Sequence, residues 1–370
     1  MSLFCENNDM ISREIKINCF NSFTYLDKIY KLKFIKILYH KQYITVKLYK
    51  LYEYQITNTY TFIKDVVCKI IYKPILDNSK NNLDKNVKFQ FFYDEIKYYL
   101  FLENNMKNFK SNILFYYTNN TNNLDLIEYG MFFNYLGVTL EKFNINNLDI
   151  INKIKLIIDL LEQCIELNQL SLYHSDIKPE NICIQQINQD TNQDTNQVKC
   201  YCQYKLSLID FGILYGEKEY FNLYEYNTTI TSGSPEYYDI NINMNDNNTL
   251  FPKDIFDKSQ HFAVAGIIFG IFANNTNLYF NEFYKIILNN SQYSIIDFDN
   301  CDISIRFSLL KDPIIIESIK NFILSYKIDE LDDSEFIKNI LNNMFDTDYK
   351  KRLKFEELKI YFENKLKEFI

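Results

Sequence analysis

The stretch Tyr173-His174-Ser175-Asp176-Ile177-Lys178-Pro179-Glu180-Asn181-Ile182 sets a carboxylate, an ammonium two residues on and a side-chain amide five residues on within one short segment. Pro179 keeps it from being helix interior, because proline lacks the amide donor and its ring clashes with the preceding turn. The stretch therefore reads as a loop that aims Asp176, Lys178 and Asn181 at one place, which suits the handling of charge rather than packing. Further on, Leu208-Ile209-Asp210-Phe211-Gly212 is an apolar run ending in a second carboxylate just before a glycine, as suits a strand end that turns sharply.

These loops need elements to carry them. Leu148 to Gln169 places Ile151, Ile154, Ile158, Leu161 and Ile165 three or four residues apart, the stripe of a core-facing helix that delivers the chain to the first loop. From Lys31 to Lys73, β-branched and aromatic residues in partial alternation predict three antiparallel strands, with a first link at Tyr39–Gln42 and a second at Asn58–Thr59. A polar stretch from Asp77 to Lys88 precedes an amphipathic helix from Phe91 through Leu102. Ile113–Tyr117 and Leu124–Phe133 read as two further strands around a turn at Asn119–Asn123. Gln185 to Gln197 holds a tandem Asn-Gln-Asp-Thr repeat of low hydrophobicity, an excursion that lengthens a hairpin.

Composition bounds the partners. The 370 residues are 47% hydrophobic, a globular value for a chain long enough to hold two cores. A formal net charge of −8 argues against nucleic acid, and no Lys/Arg run is dense enough for a membrane patch. The longest apolar run, Phe262 to Ala273, is about half of what a bilayer crossing needs, so no membrane insertion is expected. The start lacks a basic-then-apolar pattern, and eight scattered cysteines suit reduced thiols; both point to an intracellular, cytoplasmic protein. Cys200 and Cys202 read as strand residues rather than metal ligands. Only seven glycines occur where average usage gives roughly 26, so asparagine must take left-handed turn positions.

The two loops together resemble the catalytic loop and the metal-binding triplet of eukaryotic protein kinases, in which His-Arg-Asp is followed by Asn five residues after the Asp, and Asp-Phe-Gly comes later. The resemblance runs from Lys31 to Glu363. It implies an α+β, two-lobed fold: an N-terminal extension at 1–30, a small mainly antiparallel lobe at 31–133, a hinge at 134–137 and a larger, mainly helical lobe at 138–370 carrying the 185–197 insert. Lys69, in Val66-Val67-Cys68-Lys69, is similar to the lysine that meets the ATP α- and β-phosphates, with Glu95 as its ion-pair partner and Asp94 as the fallback. Adenine is expected at the backbone of Asn134 to Leu136. In the scheme that the resemblance implies, Asp176 would accept the proton of a substrate hydroxyl, Lys178 would steady the γ-phosphate, and Asn181 and Asp210 would hold Mg²⁺. Lys178 two residues after the aspartate is the serine/threonine form, so the expected activity is a protein serine/threonine kinase using ATP and Mg²⁺ on protein substrates.

Several positions depart from the family. The best register of the glycine-rich loop puts Tyr39, Lys41 and Ile44 at its glycine positions. Ser175 replaces the arginine that receives a phosphorylated activation loop. Counting back from Gly266 in the helix-like run Phe262–Phe269 puts His261 where the family anchors its catalytic loop with aspartate. Ser234, in Gly233-Ser234-Pro235-Glu236-Tyr237, aligns with the hydroxyl that ends the activation segment, with Thr228, Thr229, Thr231 and Ser232 as candidate phosphorylation sites. In an alternative register Ser234-Pro235-Glu236 is itself the family's Ala-Pro-Glu, and Arg352 aligns with the arginine that would pair with that triplet's carboxylate if Glu236 fills the role. These departures keep open a pseudokinase acting as an interaction scaffold, and a small-molecule kinase sharing the fold.

Overall fold

A computed structural model of the chain describes residues 13–17, 22–41, 44–74, 82–121, 126–174, 176–187, 203–211, 214–216, 253–278, 282, 285–286, 313–326, 334–346 and 348–369. It is an α+β structure that divides into two compact units, Met1–Leu136 and Gly137–Ile370.

The first unit is built on a curled antiparallel sheet of six strands: β1 (Ser22–Tyr25), β2 (Lys28–Lys41), β3 (Ile44–Tyr54), β4 (Tyr60–Pro74), β5 (Ile113–Thr121) and β6 (Leu126–Asn134). Their order is β1-β2-β3-β4-β6-β5. The three strands expected between Lys31 and Lys73 are β2 to β4, and Asn58 takes the left-handed conformation at the second turn, with φ of 63°. The first link is shorter than expected. Tyr39, His40 and Lys41 stay in the ladder opposite Val46, Thr45 and Ile44, and His40 Nδ1 meets Thr45 Oγ1 at 2.8 Å across it. Bulky residues without a glycine favour pairing over a wide loop, so the ladder runs on.

The front of the chain, set apart by sequence as an extension, joins this unit: β1 pairs with β2, and residues 13–17 lie along β5. The core gathers Ile15, Phe23, Leu32, Leu51, Val66, Cys68, Ile70, Phe115, Tyr117 and Phe132. Helix α1 (Asn82–Asn105) starts well before Phe91, since Lys favours a helix and each Asn or Asp costs it only about half a kcal/mol. It buries Ile96, Tyr99, Leu100 and Leu102, with the Tyr99 ring 4.8 Å from that of Phe133.

The second unit centres on α2 (Ile150–Gln169), capped by Asp149, whose side chain accepts from Asn152 N. Its buried face is wider than the expected stripe. Leu156, Ile157, Leu160, Cys164 and Leu167 are buried besides Ile154 and Leu161, while Ile151, Ile158 and Ile165 are only half-buried. The cause is cover from several sides, because α2 packs on the short strand β8 (Leu172–His174), on β10 (Gln203–Leu208) and on the C-terminal helix.

Strand β10 pairs with β9 (Ile182–Ile187), which pairs with β7 (Val138–Thr139); β8 pairs with β11 (Leu214–Gly216). Gln185 to Ile187, assigned by sequence to the insert, are strand residues opposite Lys205 to Gln203. Residues 188–197 and the two cysteines Cys200 and Cys202 lie outside the described residues. Helix α3 (Lys253–Phe272) is apolar on all sides from Phe262 onward and correspondingly buried. It is joined by α4 (Pro313–Ser325), α5 (Ser334–Met344) and α6 (Phe355–Lys367). Among the described residues no helix is long and apolar enough to cross a membrane.

Candidate functional site

In the second unit the chain leaves β8 at His174 and turns through Asp176 to Lys178 into a single 3₁₀ turn, Pro179–Asn181, before β9. Proline at the first position of that turn costs no hydrogen bond, since the amide there would have no partner inside it. Asn181 N–H donates to Lys178 O at 3.0 Å, closing the turn. The Asn181 side chain then folds back: Nδ2 donates to Asp176 O at 2.9 Å and to Asp176 Oδ2 at 2.8 Å. Lys178 Nζ lies 2.8 Å from the same Asp176 Oδ2. The three side chains expected to converge do so.

Asp176 and Asn181 are buried, while the Lys178 side chain is 23% exposed. Burial works against the Lys178 ammonium, but the carboxylates of Asp176, Glu180 and Asp210 outweigh it and raise its pKa above the ordinary lysine value. Asp210 thus acts on the loop electrostatically. It is held in register by Ile209 N–H, which donates to Asn181 O at 2.9 Å. Asp210 itself adopts φ of 62°, so the left-handed residue of this sharp turn is the carboxylate. Aspartate visits that region more readily than most residues, at a modest energetic cost of the sort found at functional sites. Gly212 lies outside the described residues.

Beneath the loop, His174 Nε2 lies 2.9 Å from Ile209 O and its Nδ1 accepts from Asp176 N–H at 3.2 Å. With one nitrogen accepting, the other must carry the proton to serve a carbonyl, so the ring is held neutral in one tautomer. Burial lowers its pKa from the ordinary value of 6.5, and its ring packs edge-on against Phe211 with centroids 5.0 Å apart.

Two side chains without any motif support this arrangement. Gln163 of α2 accepts from Leu208 N–H at 2.9 Å and donates to Leu206 O at 3.1 Å, acting as a substitute strand along the free edge of β10, which leads to Asp210. Gln260 of α3 accepts from His174 N–H at 3.2 Å and donates to Asn168 Oδ1 at 3.0 Å. Gln260 is the residue just before His261, the position to which sequence counting brings the family's anchoring aspartate. On a helix that step turns the side chain by about 100°, and His261 instead stacks flat on Phe355, with ring centroids 3.8 Å apart.

The first unit holds the other expected pair. Lys69 Nζ lies 2.8 Å and 3.0 Å from the two carboxylate oxygens of Glu95, and both side chains are mostly buried, at 17% and 5% exposure. Lys69 is fixed by ladders on both sides, opposite Val46 of β3 and Met131 of β6. Glu95 is thus a partner of Lys69. Asn134 ends β6 opposite Val66 and accepts from Lys64 Nζ at 2.7 Å, while Leu136 is half-buried at the end of the unit.

Asn181 spends its amide hydrogens on Asp176, which leaves Oδ1 as an acceptor; that oxygen and the Asp210 carboxylate are hard donors of the type Mg²⁺ takes. Among the described residues no group of three or more His, Cys, Asp or Glu side chains could hold a metal by itself. Ser175, the segment from Thr228 to Tyr237 with Ser234, and Glu236 lie outside the described residues. Arg352 is buried, donating through Nε and Nη2 to Asp346 O at 3.0 and 2.7 Å over the Phe262 ring.

No protein-family model matches this chain, and no curated protein matches it.

Proposed function

We propose that the chain is an ATP-dependent protein serine/threonine kinase. The observation that carries this reading is the closed set of Asp176, Lys178 and Asn181, to which the turn bearing Asp210 is tied by the bond from Ile209 N–H to Asn181 O. Phosphoryl transfer asks a protein for positioning and charge stabilisation more than for covalent work. Asp176 is oriented by both an amide and an ammonium, so it serves as acceptor of the substrate hydroxyl proton. The hydroxyl oxygen bonds to the γ-phosphorus as the bond from that phosphorus to the β,γ-bridging oxygen breaks, and the ADP oxygen keeps the electron pair.

Lys178, charged across the physiological range, stabilises the negative oxygens of the group in transit. Asn181 and Asp210 would hold Mg²⁺, whose charge, when bound, offsets that of the phosphates. Lys69, held by Glu95, would meet the α- and β-phosphates. A second reading, a scaffold with weak nucleotide binding, draws on the β2–β3 ladder, which continues past register shifts at Phe34/Lys36 and Ile37/Tyr39 to Lys41 opposite Ile44 with no glycine.

Titration calorimetry with ATP, with and without Mg²⁺, tests the reading. Binding that requires Mg²⁺ and weakens at least tenfold in Asp210→Ala is expected. No heat at millimolar nucleotide overturns it, and binding indifferent to Mg²⁺ and to Asp210 favours the scaffold.

A further inference from the structure

The short segment 13–17 belongs to no motif, yet it touches the parts of the first unit that set the Lys69–Glu95 pair. Arg13 Nη1 donates to Glu103 Oε2 at 2.8 Å, in the last turn of α1, and to Ile113 O at 2.5 Å, at the start of β5. Glu14 forms a parallel bridge with Tyr116, and Ile15 N–H donates to Tyr116 O at 2.8 Å. Thr118 Oγ1 meets Glu14 Oε1 at 3.4 Å. Ile15 is 3% exposed and lies in the same core cluster as Val66, Cys68 and Ile70, the β4 residues that alternate with Lys69.

Burial first and the Glu14 charge second raise the pKa of the Tyr93 phenol on α1. The segment is thus tied to α1 at Glu103 and to β5 at Ile113 and Tyr116, so it fixes the last turn of α1 against the sheet.

The end of α1 needs such a partner. The negative end of a helix dipole disfavours a carboxylate, and a cation there stabilises it. Glu103 is a carboxylate in that turn, and the turn contains no basic residue. Arg13 supplies the cation from elsewhere in the chain, and its ion pair is only about a quarter exposed.

We propose that residues 13–17 form a brace that sets α1 where Glu95 meets Lys69, with Arg13 as a positioning residue for that lysine. The structural part of the proposal stands without any nucleotide; its consequence for phosphate binding rests on the kinase reading. Displacing the brace, by modification or by a partner that takes the 13–17 segment, would release Lys69 and weaken nucleotide binding.

The test is the rate at which an amine-reactive acylating reagent labels Lys69, quantified by mass spectrometry in the full chain. Lys64, on the same strand and bonded to Asn134, is the internal reference. Arg13→Ala and, as a milder cut, Glu103→Gln are expected to label Lys69 at least fivefold faster with Lys64 unchanged, and the exchanged pair Arg13→Glu/Glu103→Arg to return it towards the wild-type rate. Unchanged Lys69 labelling in both single variants overturns the brace. So does a rise in Lys69 that Lys64 follows in step, since that is general loosening. Mg-ATP affinity is titrated separately: a wild type that binds no nucleotide removes the kinase reading and leaves the labelling result to decide the brace.

Discussion

The pair in the first unit and the loop in the second hold their charges in opposite ways. Lys69 and Glu95 are 26 residues apart, on a strand and a helix, and their meeting depends on the packing of α1. Asp176, Lys178 and Asn181 lie within six residues, and each is tied to another of the three and to the local backbone. A distributed site can be adjusted by anything that moves one element, whereas a local one is fixed once its loop folds. On the proposed reading, control belongs to the first and chemistry to the second.

The comparison breaks most visibly in stability. Lys69→Met leaves the Glu95 carboxylate buried without its ammonium, a loss of about 3–5 kcal/mol for such a cut; the double variant Lys69→Met/Glu95→Leu should recover most of it. Lys178→Met should cost less than half as much, because Asn181 still bonds Asp176. Urea denaturation of the three variants checks this, and equal losses for the two lysines would erase the distinction.

Two further changes test what surrounds the loop. A Cβ on Gly137, whose φ is 94°, would come 2.0 Å from Ile184 O of β9. Gly137→Ala is therefore expected to lose at least about 1–3 kcal/mol through strain alone, read by the same denaturation. Gln260→Leu removes the acceptor for His174 N–H and the donor to Asn168, with an expected cost of about 1–3 kcal/mol. Its sharper readout is amide exchange at His174, which should accelerate while exchange in α2 does not.

The smallest effect is on pH dependence. His174 is neutral in the folded chain and its pKa lies below 6.5, so below that pH the unfolded chain binds the proton that the folded chain refuses. Stability is then lost as pH falls from 6.5 towards the folded value, by at most about 1.4 kcal/mol per pH unit for one proton. Lys178 acts in the other direction, its contribution present below 10.5 and lost as pH rises through its raised value. Denaturation midpoints between pH 5 and 7 should fall with acid in the wild type and flatten in His174→Leu.

How legible each part is in the sequence follows from the same contrast. The loop is readable because its residue types, their spacing and Pro179 are all local. Strands β2 to β4 are readable from their β-branched and aromatic content, and Asn58 and Asn274 do take left-handed turn positions in a glycine-poor chain, with φ of 63° and 58°. Asp27 and Asp210 do so as well, as aspartate tolerates, whereas Leu26 and Ser171 do so with nothing in their types to single them out. Lys69 is one lysine among many until Glu95 is set beside it. Gln260 and Arg13 carry no signature, because their partners lie 86 residues away at His174 and 90 and 100 residues away at Glu103 and Ile113. Packing over such separations leaves no spacing to read.

The central claim is that Asp176, as Asn181 and Lys178 hold it, takes the proton of a hydroxyl during transfer from Mg-ATP. The most direct measurement is transfer of labelled γ-phosphate to serine and threonine in a generic protein substrate, comparing wild type with Asp176→Ala at saturating nucleotide. The account predicts transfer by the wild type and a loss of at least about a hundredfold in Asp176→Ala, the scale of general-base catalysis, with nucleotide affinity little changed. Equal transfer by both proteins, or none by a wild type that binds Mg-ATP, would contradict it.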